Sequence, residues 1–294
     1  MTRSNKTAAS GPIRRPAARG FYPGDCQAQM KAFLAGYHPP KDLPRSLGGA
    51  ALPHAGWMYS GQVAARTLSC FSRNSPEPET VVIFGTPHYA AALDHALYPG
   101  SEWETPMGNL TVDSACGEAI LEAAGDLLRA DARAHRHEHS IEVLMPMVKY
   151  FFPETAIVPI LAFPETSAVA LGNSAAGAVI RLERSAIFLA SSDLTHYGPT
   201  FGLIPAGKGP EAKVWMENND QRLIDSLYRG TGEEVLHEAR THLNACGAGA
   251  LAALKGVMTV LGAPEGRLIE YATSFDAEPE PVFRQAVGYA GVVF

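Results

Sequence analysis

The chain has 294 residues, of which 46% are hydrophobic and 18% charged, ordinary proportions for a globular protein with room for one large, well-buried domain. Its formal net charge of −6, with no compensating basic run in the folded part, opposes the phosphate attraction that nucleic-acid binding needs. No apolar run of about 18 residues is present to span a membrane, and Cys26, Cys70, Cys116 and Cys246 stand too far apart for a secreted disulfide framework, so a reducing cytoplasm fits best.

The first 20 residues carry Arg3, Lys6, Arg14, Arg15 and Arg19 without an acid, which superficially looks like a transit peptide. Ile13 is the only bulky apolar residue after Met1, and an amphipathic presequence needs more, so residues 1–13 read as a disordered tail. Residues 14–294 read as one domain. Apolar periodicity then predicts a helix over 27–35, a strand over 49–52, a helix over 61–71 and a strand over 81–85. Helices over 114–129 and 141–151 follow, then a strand over 156–161, a helix over 167–181 and a strand over 186–190. Helices over 211–228 and 247–261 and a strand over 288–294 complete the pattern. Pro-rich stretches at 75–79, 204–210 and 278–281 mark turns. Short buried strands alternating with helices predict an α/β fold, a single domain with a central mixed or mostly parallel sheet flanked by helices.

Three predicted strands end in polar, Gly- or Pro-flanked turns: Pro53-His54-Ala55-Gly56, Thr86-Pro87-His88-Tyr89 and Ser191-Ser192-Asp193 with His196. In open α/β sheets ligands bind outside the carboxyl ends of the strands, so these turns can converge. His54 and His88 then suit neutral nitrogen ligands, although either alone reads equally as a hydrogen-bonded turn residue. Asp193 and His196 suit an acid/base pair, or a cap and turn. In His135-Arg136-His137-Glu138-His139 only His139 reads as functional, with Glu138 and Glu142 as partners; His135 and His137 read as surface residues. Cys246 precedes a small-residue helical run, whose N-terminus would favour thiolate; the alternative is a small buried hydrophobe. Cys26, Cys70 and Cys116 are assigned to packing. His237 and His242 mimic a zinc-protease helix but are five apart, about 140° out of alignment. Gly247-Ala248-Gly249 follows no strand and supports no nucleotide site.

Taken in order, Arg15-Pro16-Ala17 with Gly20-Phe21-Tyr22-Pro23, Pro53-His54-Ala55-Gly56 with Tyr59-Ser60-Gly61, Pro87-His88, Glu138-His139-Ser140 with Glu142, Ser191-Ser192-Asp193 with His196, and Cys246-Gly247 form a pattern that resembles the Memo family, called protein B of the AmmeMemoRadiSam system. The resemblance implies a fold similar to class III extradiol ring-cleaving dioxygenases, which use non-haem ferrous iron. It implies metal ligation by His54, His88 and Cys246, with Asp193 and His196 lining the same cleft. Cys246 stands where those dioxygenases have a carboxylate, which puts ring cleavage itself in question. Trp57 stands where the family motif often has Tyr, a change expected to reshape the pocket mouth.

The expectation is an iron-dependent, dioxygenase-like oxidoreductase: Fe(II), with Cu or Zn as alternatives, on His54, His88 and Cys246; His196 as acid/base; Asp193 orienting it; and His139 supplying a further proton or hydrogen bond. The competing reading is a non-enzymatic adaptor or metal-handling module that binds a peptide or small anion in the same cleft. Partners would be a small molecule or peptide, or AmmeMemoRadiSam partner proteins. Metal-free hydrolysis through Ser192, His196 and Asp193 is a third, weaker class, since no GxSxG elbow is present.

Overall fold

The structure is a computed structural model that describes residues 11–73, 77–89 and 94–294. In chain order its first elements are β1 (Ile13–Arg14), α1 (Cys26–Leu34), β2 (Gly49–Leu52), α2 (Trp57–Ser69), β3 (Thr80–Gly85), β4 (His95–Leu97), β5 (Glu102–Trp103), β6 (Leu110–Thr111), α3 (Ser114–Ala124), β7 (Leu128–Ala130) and α4 (Met145–Phe151). There follow β8 (Ala156–Leu161), α5 (Ser167–Arg181), β9 (Ala186–Ser191), β10 (His196–Tyr197), α6 (Pro210–Arg229), α7 (Gly232–His242), α8 (Ala248–Val260), β11 (Arg267–Thr273), α9 (Ser274–Ala277) and β12 (Ala286–Val293). None of these helices is long and apolar enough to cross a membrane.

Nine strands form one mixed sheet in the order β10-β12-β2-β9-β3-β8-β4-β7, with β11 also beside β12. β2, β9, β3 and β8 are mutually parallel, whereas β12 runs antiparallel to β2 and β4 antiparallel to β8. Side chains alternate across the pleat. Val82 and Phe84 of β3 and Phe188 and Ala190 of β9 pack into a core shared with α3, α5, α6, α7 and α8. Val81, Ile83, Ile187 and Leu189 face the opposite core, shared with α1, α2 and α4. Helices therefore cover both faces, which is why the central strands are apolar throughout. α5 and α8 approach so closely that a Cβ on Gly172 would stand 1.9 Å from the Ala253 carbonyl oxygen. Near the start of α8, beside the segment that carries Cys246, a Cβ on Gly249 would stand 2.1 Å from the Phe163 carbonyl oxygen.

The sequence-based expectations need several corrections. The helix expected over 114–129 ends at Ala124, because Gly125 takes a positive φ of 55° and Leu128–Ala130 then pairs with β4 as β7. α7 and β11 lie where no element was predicted, and residues 75 and 76 of an expected turn lie outside the described residues. Of the tail expected over 1–13, residues 1–10 lie outside them too. Gly11 and Pro12 are held by hydrogen bonds from Ser101 and Tyr98, and Ile13 pairs with Glu102.

His135 is not a surface residue: it is 0% exposed, with Nε2 3.0 Å from the Ala96 carbonyl and its ring edge-on to Tyr98 and Trp103. Burial first, and then the Arg14 guanidinium, push its imidazole down to about 4, against the pull of the Ala96 bond. An unfolded histidine titrates near 6.5, so as pH falls from 6.5 the unfolded chain takes up a proton that the folded chain refuses. Stability from this group is complete above about pH 6.5 and declines toward pH 4. We expect His135→Gln to lose about 2 kcal/mol less than wild type between pH 7 and pH 5 in urea unfolding; parallel pH profiles would exclude the effect.

Candidate metal centre

The parallel strands bring distant turns to one edge. β9 lies between β2 and β3, so the turns after Leu52 and Gly85, which carry His54 and His88, flank the turn after Ser191 that carries Ser192 and Asp193. Cys246 arrives from the α7–α8 connection, its backbone N–H donating to the Asp193 carbonyl at 3.3 Å. One ligand atom from each of His54, His88 and Cys246 lies within 4.8 Å of the others.

Hydrogen bonds orient both imidazoles. Ser191 Oγ donates to the Ser140 carbonyl at 2.6 Å, so toward His54 Nδ1, 2.8 Å away, it can only accept. His54 is thus protonated on Nδ1, and the lone pair on Nε2 stands 3.4 Å from Cys246 Sγ. His88 Nδ1 is 2.9 Å from Glu138 Oε1, and Glu138 Oε2 accepts the His88 backbone N–H at 2.6 Å. A carboxylate accepts only, so His88 likewise carries its proton on Nδ1 and presents Nε2. Burial alone would raise the Glu138 carboxyl, but the His88 imidazole and the backbone N–H groups of Ser140 and His88 hold it down to about 2. His54 is kept neutral, well below the usual imidazole range, by burial and then by the neighbouring His88 and His139.

The helix-stabilised thiolate expected at Cys246 is not found. Burial, and after it the Asp193 carboxylate, push the Cys246 thiol up. The first amide of the α8 terminus, that of Gly247, donates to Ser192 Oγ at 2.9 Å, and Sγ receives the Asp193 N–H at 3.3 Å. A cation bound beside such a thiol would favour loss of its proton.

The other candidates sit close by in different relations from those expected. Asp193 Oδ1 accepts the backbone N–H groups of His54 and Ala55 at 2.7 and 3.2 Å; it staples the His54 turn, and no hydrogen bond joins it to His196. His196 Nε2 is buried without a hydrogen-bond partner among the described residues. His139 stacks on His88, ring centroids 4.4 Å apart. Glu138 serves His88 first, approaching His139 Nδ1 only to 3.4 Å, and Glu142 is committed to Arg14. Ser192 Oγ donates to the Asp193 carbonyl at 2.8 Å, away from His196 and against a hydrolytic triad. His137 and His237 are exposed, and Cys26, Cys70 and Cys116 are buried.

A cleft of about 650 Å³ opens over His139, Asp193 and His196, walled by Phe21, Tyr59, Phe201, Phe275 and Tyr289, with Glu278 and Glu280 also in its lining. Trp57 is not at this mouth: it is buried, with Nε1 donating to the Val143 carbonyl at 2.9 Å. Sequence reasoning also missed Ser191 and Ser140, which fix the His54 tautomer. Both stood in the quoted motifs, but small hydroxyls are too common in turns for that role to be read from them.

Over residues 14–293 the sequence matches the family described as Memo-like protein. A MEMO1 family protein of Pyrococcus horikoshii is 33% identical over 293 residues, covering 95% of this chain and 98% of its own. Another from Thermococcus onnurineus is 33% identical over 298 residues, covering 96% and 99%, and one from Methanococcoides burtonii 32% over 286, also covering 96% and 99%. Among solved structures, the uncharacterized protein JW3007 of Escherichia coli K12 superposes with a TM-score of 0.52 over 84% of this chain and 99% of its own, at 13% identity. At that identity the likeness is one of fold alone.

Proposed function

The chain belongs to the Memo family, and from that premise we propose that His54, His88 and Cys246 hold a metal ion, Fe(II) in the working protein, and that it is a non-haem oxidoreductase of dioxygenase-like chemistry. One observation carries the reading: two imidazoles, each with Nδ1 engaged by an outer partner, leave Nε2 free beside a thiol. That is how ligating histidines are usually oriented. The 3.4 Å between His54 Nε2 and Cys246 Sγ is close to the roughly 3.6 Å that bonds of about 2.1 and 2.3 Å subtend at a tetrahedral ion.

Bound there, Fe(II) would supply Lewis-acid and redox chemistry to a substrate entering from the cleft. The protein's own contribution is positional and protonic. The aromatic walls take a planar, largely apolar molecule and exclude water from its reacting end. His196 Nε2 is free to take a proton from that molecule or return one; burial pushes its imidazole below the usual range, against the opposing pull of the Asp193 carboxylate. His139, stacked on His88 in the same cleft, presents a further polar edge.

Anaerobic Fe(II) titration with elemental analysis tests the centre. Wild type is expected to retain iron stoichiometrically, and His54→Ala, His88→Ala and Cys246→Ala each to weaken retention by about 100-fold or more. A folded wild type with no affinity for Fe(II) would remove the proposal. Tight binding without oxygen uptake on catechols or related enediols would replace the oxidoreductase with the binding-module reading.

A further inference from the structure

We infer that the cleft contains a second cation position, built from Asp193, His196 and Cys246, which lies beside the first and shares its thiol sulfur. One ligand atom from each of these residues lies within 4.8 Å of the others. Two of the three have a donor atom to spare. Among the described residues His196 Nε2 is buried with no hydrogen-bond partner, a state that folded interiors rarely leave unexplained. Asp193 receives the His54 and Ala55 amides on Oδ1, and those two bonds leave Oδ2 as a second oxygen for a cation. A thiolate carries lone pairs enough for two cations, so ligation of one ion by Cys246 does not exhaust it.

A third donor group, His88, Glu138 and His139, is equally compact but does not make a comparable site. Both Glu138 oxygens are taken by hydrogen bonds from His88 and Ser140, so that carboxylate is an orienting group. Carboxylate, imidazole and thiolate together suit a borderline divalent cation of the zinc class. A cation on His196 and a proton on His196 exclude each other. Singly and doubly loaded chains therefore present different groups to the cleft, and the doubly loaded form lacks the proton carrier proposed above.

The inference rests on that proposal in one respect, that Cys246 is a ligand of the first ion. Anaerobic Co(II) titration of the full chain tests it, with native mass spectrometry counting ions and the thiolate-to-metal absorption band reporting Cys246. Wild type is expected to take up two ions in separable steps, His196→Ala and His196→Gln one, and His88→Ala one. Circular dichroism of each variant reports whether it folds, and the second His196 variant guards against a failure of the first. A wild type that saturates at one ion, lost in His88→Ala and kept in both His196 variants, overturns the second position and leaves the first standing. One ion lost in the His196 variants and kept in His88→Ala supports the second position and removes the first. A folded wild type that binds none overturns both.

Discussion

Replacing Glu142 by alanine is expected to cost about 3–5 kcal/mol of stability, among the largest effects available to a single substitution here. Its carboxylate accepts from the Arg14 guanidinium at 2.5 Å, from the Ala18 amide at 2.8 Å, from the Tyr22 hydroxyl at 2.7 Å and from the Ala17 amide at 3.0 Å. The Arg14 and Glu142 side chains are only 3% and 2% exposed, so the variant leaves a guanidinium charged, buried and unpaired. Arg14 also donates to the carbonyls of His135 and Glu138 at 3.0 and 2.8 Å, so the damage reaches the segment that orients His88. Replacing both partners, Arg14→Met with Glu142→Leu, is expected to recover part of the loss: it avoids the uncompensated charge but leaves the Ala17 and Ala18 amides and the Tyr22 hydroxyl without this acceptor. Urea unfolding measures both. A loss below about 1 kcal/mol in Glu142→Ala would mean that the pair is far more hydrated than its burial indicates.

Gly247→Ala is the second. A Cβ there would stand 2.5 Å from the Ser191 carbonyl oxygen, 2.5 Å from Thr86 Oγ1 and 2.6 Å from Ser192 Cβ. Neither group can yield cheaply, since Thr86 Oγ1 itself donates to the Ser191 carbonyl at 2.9 Å, tying the end of β3 to the end of β9. The added methyl must push Cys246 away from His54 or part the two strand ends. We expect a stability loss of about 1–3 kcal/mol and Fe(II) retention weakened by about 100-fold or more, as for a lost ligand. Anaerobic titration of the folded variant gives the answer, and wild-type affinity would show that the connection before α8 can shift without moving the sulfur.

The strands at 49–52 and 156–161 and the helix at 167–181 were legible to the residue, because buried parallel strands and a long helix leave uninterrupted apolar patterns. α7 escaped although its capping box, Thr231 with Glu234, is a readable start signal; its two histidines drew attention to metal chemistry instead. β11 escaped because it is half-exposed and carries Glu270, which pairs with Arg66 of α2 at 2.9 Å, so polar residues break its alternation. His135 looked like a surface residue because its neighbours are charged, yet Tyr98, Trp103 and Arg14 close over it from distant parts of the chain. The meeting of His54, His88 and Cys246 at one place was legible through family motifs. The outer partners were not, since bonds such as Asp193 to the His54 amide or Ser191 to its ring span 139 and 137 residues and leave no local pattern.

That separation has a further meaning. Cys246 lies 192 residues beyond His54, so a chain emerging from the ribosome exposes both imidazoles long before the sulfur exists. An ion met early would find two nitrogens on unpaired turns and nothing to hold them at a common point, because Asp193 and β9 arrive later as well. A metal held by these residues, as proposed, would therefore be loaded only on the completed sheet, so the cell's metal supply would act on the finished protein rather than on its synthesis.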